Sequence, residues 1–93
     1  MDKSKTKAHL NLVGPRVHQL RSAQGLTQAA LVAKCNLIGW DVSRSTLSKV
    51  EYGIRRVNDA EVILLATALG GKLDDLYFQA SPEEAVSCAR HSK

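Results

Sequence analysis

The feature that most constrains this chain is a helix-start pattern that occurs three times along it. In each copy an apolar residue stands directly before a Ser, Thr or Asn, and a second apolar residue follows four positions later. The polar side chain accepts hydrogen bonds from free N–H groups at a helix start, and the two apolar side chains pack together beside it. The copies are Leu26, Thr27 and Leu31; Val42, Ser43 and Leu47; and Val57, Asn58 and Val62. The pattern predicts three successive helices with fixed N-termini.

Apolar spacing and glycines extend this to a prediction of five helices, at about residues 14–24, 28–38, 43–52, 59–69 and 73–78. The residues expected to face inward are Val13, Val17 and Leu20; Leu31, Cys35 and Ile38; Leu47 and Val50; Val62, Leu65, Ala66 and Leu69; and Leu73, Leu76 and Tyr77. No stretch alternates apolar and polar residues as a strand would, so the predicted fold class is all-α. The run Ser81-Pro82-Glu83-Glu84 either starts a short sixth helix or belongs to a tail that frays.

Length and composition exclude several classes of protein. A chain of 93 residues is one domain, and no apolar run approaches the 18 residues that would suggest a membrane span. The charged N-terminus is not a secretory signal, and two cysteines make no disulfide framework, which suits a reducing cytoplasm. No histidine or cysteine has metal-ligand spacing, and no catalytic triad, phosphate-binding glycine loop, HExxH motif or catalytic carboxylate pair occurs. We therefore expect a non-enzyme without metal or cofactor.

The positive charge is concentrated in the first half of the chain. The formal net charge is +4, yet residues 1–9 carry +2, residues 43–56 carry +3 and residues 59–93 carry −3. A run of charge is most often a solvated face, but polarised charge on a small basic chain is also typical of nucleic-acid binding.

The predicted second and third helices, joined by Gly39-Trp40-Asp41-Val42, form a helix-turn-helix, although a generic helical hairpin would look the same in sequence. If Leu47 and Val50 are buried, the third helix presents a set of polar side chains to solvent, namely Arg44, Ser45, Ser48 and Lys49. An arginine there can bond guanine in a major groove, and Arg55 and Arg56 in the next loop can reach phosphates. Gln28 and the N–H groups that start the second helix make another anion site.

Several of these residues together resemble the Cro/phage-repressor (xenobiotic-response-element, XRE) type helix-turn-helix family. The resemblance covers about residues 13–78 and is carried by the runs Gly25-Leu26-Thr27-Gln28, Ser43 to Gly53, Leu64 to Gly70 and Leu73-Asp74-Asp75-Leu76. It implies a compact five-helix, lambda-repressor-like domain that inserts its third helix into the major groove of double-stranded DNA. It implies domain limits of 1–12 for a basic arm, 13–78 for the DNA-binding domain and 79–93 for a tail.

The resemblance also implies roles for individual residues. Base contacts fall to Arg44, Ser45 and Lys49, with Ser48 beside them. Phosphate contacts fall to Gln28, Ser43, Tyr52, Arg55 and Arg56. Arg21 and Glu51 match a pair that ties the first helix to the end of the third.

The chain departs from the family pattern between its second and third helices. Fifteen steps separate Gln28 from Ser43, about five more than is common, and Val32 stands where a small residue is usual. Five residues are about 1.4 helical turns, so the extra segment bears on how the third helix is presented. Trp40, within it, either fills the added space in the core or anchors a partner.

These observations favour a sequence-specific DNA-binding regulator, a repressor that acts as a homodimer through its C-terminal third around Leu73, Leu76, Tyr77 and the tail. An antitoxin-like module that binds a protein partner and regulates itself through DNA is the alternative. A protein-interaction or RNA-binding domain without DNA function is a third. The operator, the regulated genes and any effector are left open.

Overall fold

The computed structural model describes residues 9–78 and 80–90 and shows six α-helices there and no strand. They are α1 (Gly14–Ala23), α2 (Gln28–Leu37), α3 (Arg44–Glu51), α4 (Asp59–Ala68), α5 (Leu73–Leu76) and α6 (Pro82–Arg90). The all-α prediction is confirmed, and the tail forms the sixth helix. Lys3, Lys5 and Lys7 of the basic arm, together with His91 and Lys93, lie outside the described residues.

All three predicted caps form. Thr27 Oγ1 accepts from the Ala30 N–H at 3.0 Å, and Ser43 Oγ accepts from the Thr46 N–H at 3.0 Å. Asn58 Oδ1 accepts from the Glu61 N–H at 2.8 Å while the Glu61 carboxylate accepts from the Asn58 N–H at 3.2 Å. These caps satisfy N–H groups that have no partner within their helix, so the three helix starts are set by local sequence.

The core lies where α1, α2, α3 and α4 meet, and α5 closes it against α1 and α4. It contains one residue or more from each predicted stripe, and α6 contributes no buried residue. The buried apolar side chains are Val13, Val17, Leu31, Cys35, Val42, Leu47, Val50, Val62, Leu65, Ala66, Ala68, Leu69 and Leu76. Trp40 is half-buried against this core, which favours the space-filling interpretation over the partner anchor. Burial raises the pKa of the Cys35 thiol, as expected for a small apolar core residue.

Three inward-facing predictions are wrong. Ile38 is exposed because α2 ends at Leu37 and the chain turns away before Ile38 can reach the core. Leu73 and Tyr77 are also exposed, because α5 is a single turn and places only Leu76 against α1 and α4. None of the described helices is long and apolar enough to cross a membrane.

Candidate nucleic-acid interface

Helix α3 has one buried face and one polar face. Leu47 and Val50 are fully buried, whereas Arg44, Ser45 and Lys49 are exposed and Ser48 is half-buried. At 100° per residue, positions 44, 45, 48 and 49 fall within about 140° of one another, so the four side chains share one side of the helix. The Ser43 hydroxyl also donates to Thr46 Oγ1 at 3.1 Å. The structure therefore brings the predicted base-reading residues together on the solvent side of α3.

The C-terminal end of α3 is held by a buried carboxylate. The Arg21 guanidinium donates from Nε to Glu51 Oε2 at 2.7 Å and from Nη2 to Glu51 Oε1 at 3.0 Å. The side chains of Arg21 and Glu51 are only 11% and 4% exposed. Gln28 Nε2 donates to Glu51 Oε1 at 3.1 Å, and His18 Nδ1 lies 3.2 Å from the same oxygen. Residues of α1 and of the first turn of α2 thus converge on one group of α3.

Two opposing effects act on this carboxylate. Burial raises the pKa of Glu51, but the hydrogen bonds from Arg21, Gln28 and His18 and the positive charge of Arg21 outweigh it and leave the pKa below its ordinary value. Glu51 is therefore a buried anion whose charge is matched by Arg21, and its pairing fixes α3 relative to α1.

Gln28, which is predicted to contact phosphate, also binds the buried Glu51 carboxylate. One N–H of its side-chain amide is engaged with Glu51, so the second amide N–H and the backbone N–H at the start of α2 remain for an anion. A cavity of about 400 Å³ opens beside it, lined by Pro15, His18, Gln19, Arg21, Gln28, Glu51 and Tyr52. Tyr52, at the end of α3, is 69% exposed.

The loop after α3 contains both predicted arginines. Arg55 donates to the two Glu61 carboxylate oxygens at 2.9 and 3.1 Å, and its Nη1 also donates to the Arg56 carbonyl at 2.9 Å. The hydrogen bonds from Arg55 lower the pKa of Glu61, with burial opposing them. Arg55 is thus tied to the first turn of α4 and remains one-third exposed, while Arg56 is exposed.

Asn11 is an important residue of this region that sequence analysis missed. Its buried amide donates to the carbonyl oxygens of Val50 at 3.1 Å and of Arg55 at 2.8 Å, and its Oδ1 accepts from the Gly14 N–H at 2.6 Å. It therefore joins the start of α1 to the end of α3 and to the arginine loop. The bond from Gly14 to Asn11 spans three residues just before Pro15, so its spacing is visible in the sequence. The two bonds to residues 39 and 44 positions away have no sequence signal.

The chain enters the domain beside the same loop. The Leu10 N–H donates to the Gly53 carbonyl at 2.7 Å, and the His9 ring lies against Gly53. His9 and Leu10 consequently lie next to the loop that carries Tyr52, Arg55 and Arg56.

The long connection between α2 and α3 is a defined structure. The Gly39 N–H donates to the Asn36 carbonyl and the Trp40 N–H donates to the Cys35 carbonyl, both at 3.0 Å, and Gly39 has a φ of +95°. These are the two bonds of a Schellman motif, which requires a left-handed residue at the Gly39 position. Among the described residues, no group of three or more His, Cys, Asp or Glu side chains is placed to hold a metal ion.

Comparisons with known proteins agree with this geometry. The helix-turn-helix family model matches residues 17–76. The crystal structure of the restriction-modification controller protein C.AhdI from Aeromonas hydrophila is similar, with 36% sequence identity and a TM-score of 0.61. That similarity covers 70% of this chain and 94% of the C.AhdI chain. No curated protein sequence matches the chain.

Proposed function

This chain belongs to the XRE-type helix-turn-helix family of DNA-binding transcription regulators, and from that membership we propose that it is a sequence-specific repressor that binds its operator as a homodimer. It acts by binding and not by catalysis, in the cytoplasm. The observation that carries the proposal is the polar side of α3, where Arg44, Ser45 and Lys49 are exposed opposite a fully buried apolar face. A helix of this kind can enter a major groove without disturbing the core beneath it.

The proposed contacts are of two kinds. Arg44, Ser45, Ser48 and Lys49 read base edges from the groove. Phosphates are contacted around it by Ser43, Tyr52, Arg56 and the start of α2 at Gln28. Arg55 contributes its charge to the same phosphate-binding loop while it remains paired with Glu61. Phosphate contacts position the protein, and base contacts give it specificity.

We propose the division of the chain into an arm (1–12), a DNA-binding domain (13–78) and a tail (79–93). The contact of Leu10 with Gly53 supports a DNA-binding role for the arm, because it holds Leu10, near the C-terminal end of the arm, beside the proposed phosphate-binding loop. A dimer interface around α5 would use the exposed side chains of Leu73, Tyr77 and Phe78. The inclusion of Leu76 in that interface is wrong, because Leu76 is 2% exposed and belongs to the core of the monomer.

The test separates base reading from phosphate attraction. Duplexes that the wild-type protein selects from random DNA supply the operator, and a random-sequence duplex of equal length is the comparison. Arg44→Ala should cost about 1–3 kcal/mol of binding free energy on the operator and relax the preference at one base position. Arg56→Ala should weaken both duplexes about equally and reduce the salt slope by about one phosphate.

A footprint on the selected duplex should show two half-sites about one DNA turn apart, as a two-fold dimer requires. If Arg44→Ala weakens both duplexes alike and leaves base preference unchanged, α3 is not the reading element. If the wild-type protein selects no duplex at all, the function lies with a protein partner, as in the antitoxin-like alternative.

A further inference from the structure

The connection between α2 and α3 is held by a side chain to which the proposed function assigns no role. We propose that Asn36 is a positioning residue for DNA reading, which locks the connection and thereby sets the direction in which α3 meets the groove. This inference rests on the proposed function, since it concerns how α3 is aimed.

The Asn36 side chain spans the connection. Its Nδ2 donates to the Trp40 carbonyl at 2.8 Å and approaches the Val42 carbonyl at 3.4 Å. The Val42 N–H in turn donates to the Trp40 carbonyl at 2.9 Å. Val42 directly precedes Ser43, the cap of α3, so one amide in the last turn of α2 reaches almost to the start of the reading helix.

Two apolar anchors flank the bonded segment. Trp40 is half-buried against the core and Val42 is buried, whereas Asp41 between them is exposed. The anchors fix where the connection lies, and the bond from the Val42 N–H to the Trp40 carbonyl restrains the peptide groups on either side of Asp41. Asn36 adds a second restraint, because its amide donates to the Trp40 carbonyl and approaches the Val42 carbonyl, and it thereby ties the orientation in which the chain enters α3 to the last turn of α2.

Loss of the Asn36 bonds should affect the discrimination between DNA sequences more than the affinity for DNA in general. Arg44 and Ser45 are the first two residues of α3, directly after the connection. A base contact requires a donor–acceptor distance within a few tenths of an ångström and a defined angle, whereas phosphate attraction tolerates displacement. A loosened connection should therefore blur base reading and leave the attraction to any duplex largely unchanged.

The lock is suited to substitution because it adds little to the stability of the fold. Asn36 is exposed, and so is its bond to the Trp40 carbonyl, which can therefore bond to water when the side chain is removed. Alanine is also a better helix former than asparagine, which compensates part of the lost hydrogen bonding. Asn36→Ala is therefore expected to fold. Leu37→Ala is the matched control, because Leu37 lies in the same turn of α2 and is 85% exposed.

The experiment measures the ratio of dissociation constants for the random-sequence and the selected duplex. We expect Asn36→Ala to lower this ratio about tenfold, which corresponds to one base contact. Its affinity for the random duplex should stay within about twofold of wild type, with an unchanged salt slope. The emission of Trp40, the only tryptophan, should shift in Asn36→Ala, because its surroundings loosen. Leu37→Ala should match wild type in every measurement.

A second variant tests the same lock from the backbone. Gly39→Ala strains the left-handed residue of the Schellman motif without touching the Asn36 side chain, and it should lower the ratio in the same way. The inference is overturned if folded Asn36→Ala or folded Gly39→Ala keeps the wild-type ratio. It is also overturned if Asn36→Ala weakens both duplexes equally, or if Leu37→Ala loses as much discrimination. A wild-type protein without duplex preference would refute the proposed function itself, and this inference with it.

Discussion

Replacing Glu51 by glutamine should destabilise the domain far more than the same replacement elsewhere. The substitution keeps the shape of the side chain and removes the negative charge that Arg21 faces at 2.7 Å. It leaves a guanidinium that is 11% exposed without a counter-charge, and the new amide N–H₂ group points toward other donors. The perturbation is therefore electrostatic, with little change in packing volume.

The expected magnitude follows from the burial of both partners. Removing one member of a buried ion pair costs about 3–5 kcal/mol, because the remaining charge stays buried and unpaired. A domain of this size has a total free energy of unfolding of only about 5–15 kcal/mol. At roughly 4–8 °C per kcal/mol, Glu51→Gln should lower the melting temperature by at least about 12 °C.

Glu61→Gln is the control in a thermal or urea unfolding experiment. It breaks the Arg55–Glu61 pair, whose side chains are 33% and 15% exposed, and glutamine preserves the capping box with Asn58. Because this pair is more exposed, its loss should lower the free energy of unfolding by no more than about 1 kcal/mol. If Glu51→Gln unfolds at the same temperature as Glu61→Gln, the Arg21–Glu51 pair does not hold α3 in the way that we argue.

Two further predictions concern acid and the contact between α1 and α3. Because the folded pKa of Glu51 lies below its ordinary value, its stabilising contribution is complete above the unfolded pKa near 4.3 and is lost as the pH falls through the folded pKa. In urea titrations below about pH 5, the unfolding free energy of the wild type should therefore fall more steeply than that of Glu51→Gln, by up to about 1.4 kcal/mol per pH unit, and parallel curves would contradict this. Gly14→Ala should destabilise by more than about 2 kcal/mol, because its Cβ would meet the Val50 carbonyl oxygen and approach Asn11 Oδ1 to 2.8 Å. Gly25→Ala, with open space around its Cβ, should cost only the roughly 1 kcal/mol of a left-handed residue, and equal melting temperatures for the two glycine variants would refute the close contact.

The parts of the fold that sequence predicted are those determined by neighbours along the chain. The caps at Thr27, Ser43 and Asn58 each bond an N–H group three residues away, so their spacing is visible in sequence. The inward positions of α4 were also correct, because a helix of ten residues presents a complete stripe. Ile38, Leu73 and Tyr77 were assigned wrongly for the complementary reason. Ile38 and Tyr77 follow the last residue of their helices, where the path of the chain decides exposure, and Leu73 opens a helix of one turn that buries only Leu76.

The candidate site divides in a similar way. The exposure of Arg44, Ser45 and Lys49 follows from the burial of Leu47 and Val50 in a short helix, which periodicity predicts. The bonds of Asn11 to α3 and to the loop after it, and of Gln28 to Glu51, join residues 23 to 44 positions apart, and no local pattern encodes them. The bonds of Asn36 are short in sequence, but they depend on a turn geometry that exists only once Gly39 has adopted its left-handed conformation.

These unpredicted contacts explain how so short a helix can serve as a reading element. Eight residues are too few for a stable helix in water, so α3 must take its order from its surroundings. Apolar burial of Leu47 and Val50 holds its inner face against the core but is non-directional, so it does not by itself fix the tilt of the helix. The polar contacts act at its two ends: Asn36 holds the connection before Ser43, while Arg21 binds Glu51 and Asn11 binds the Val50 carbonyl in the last turn. The side chains proposed to read bases lie between these fixed ends, so the specificity of α3 should depend on residues that never touch DNA.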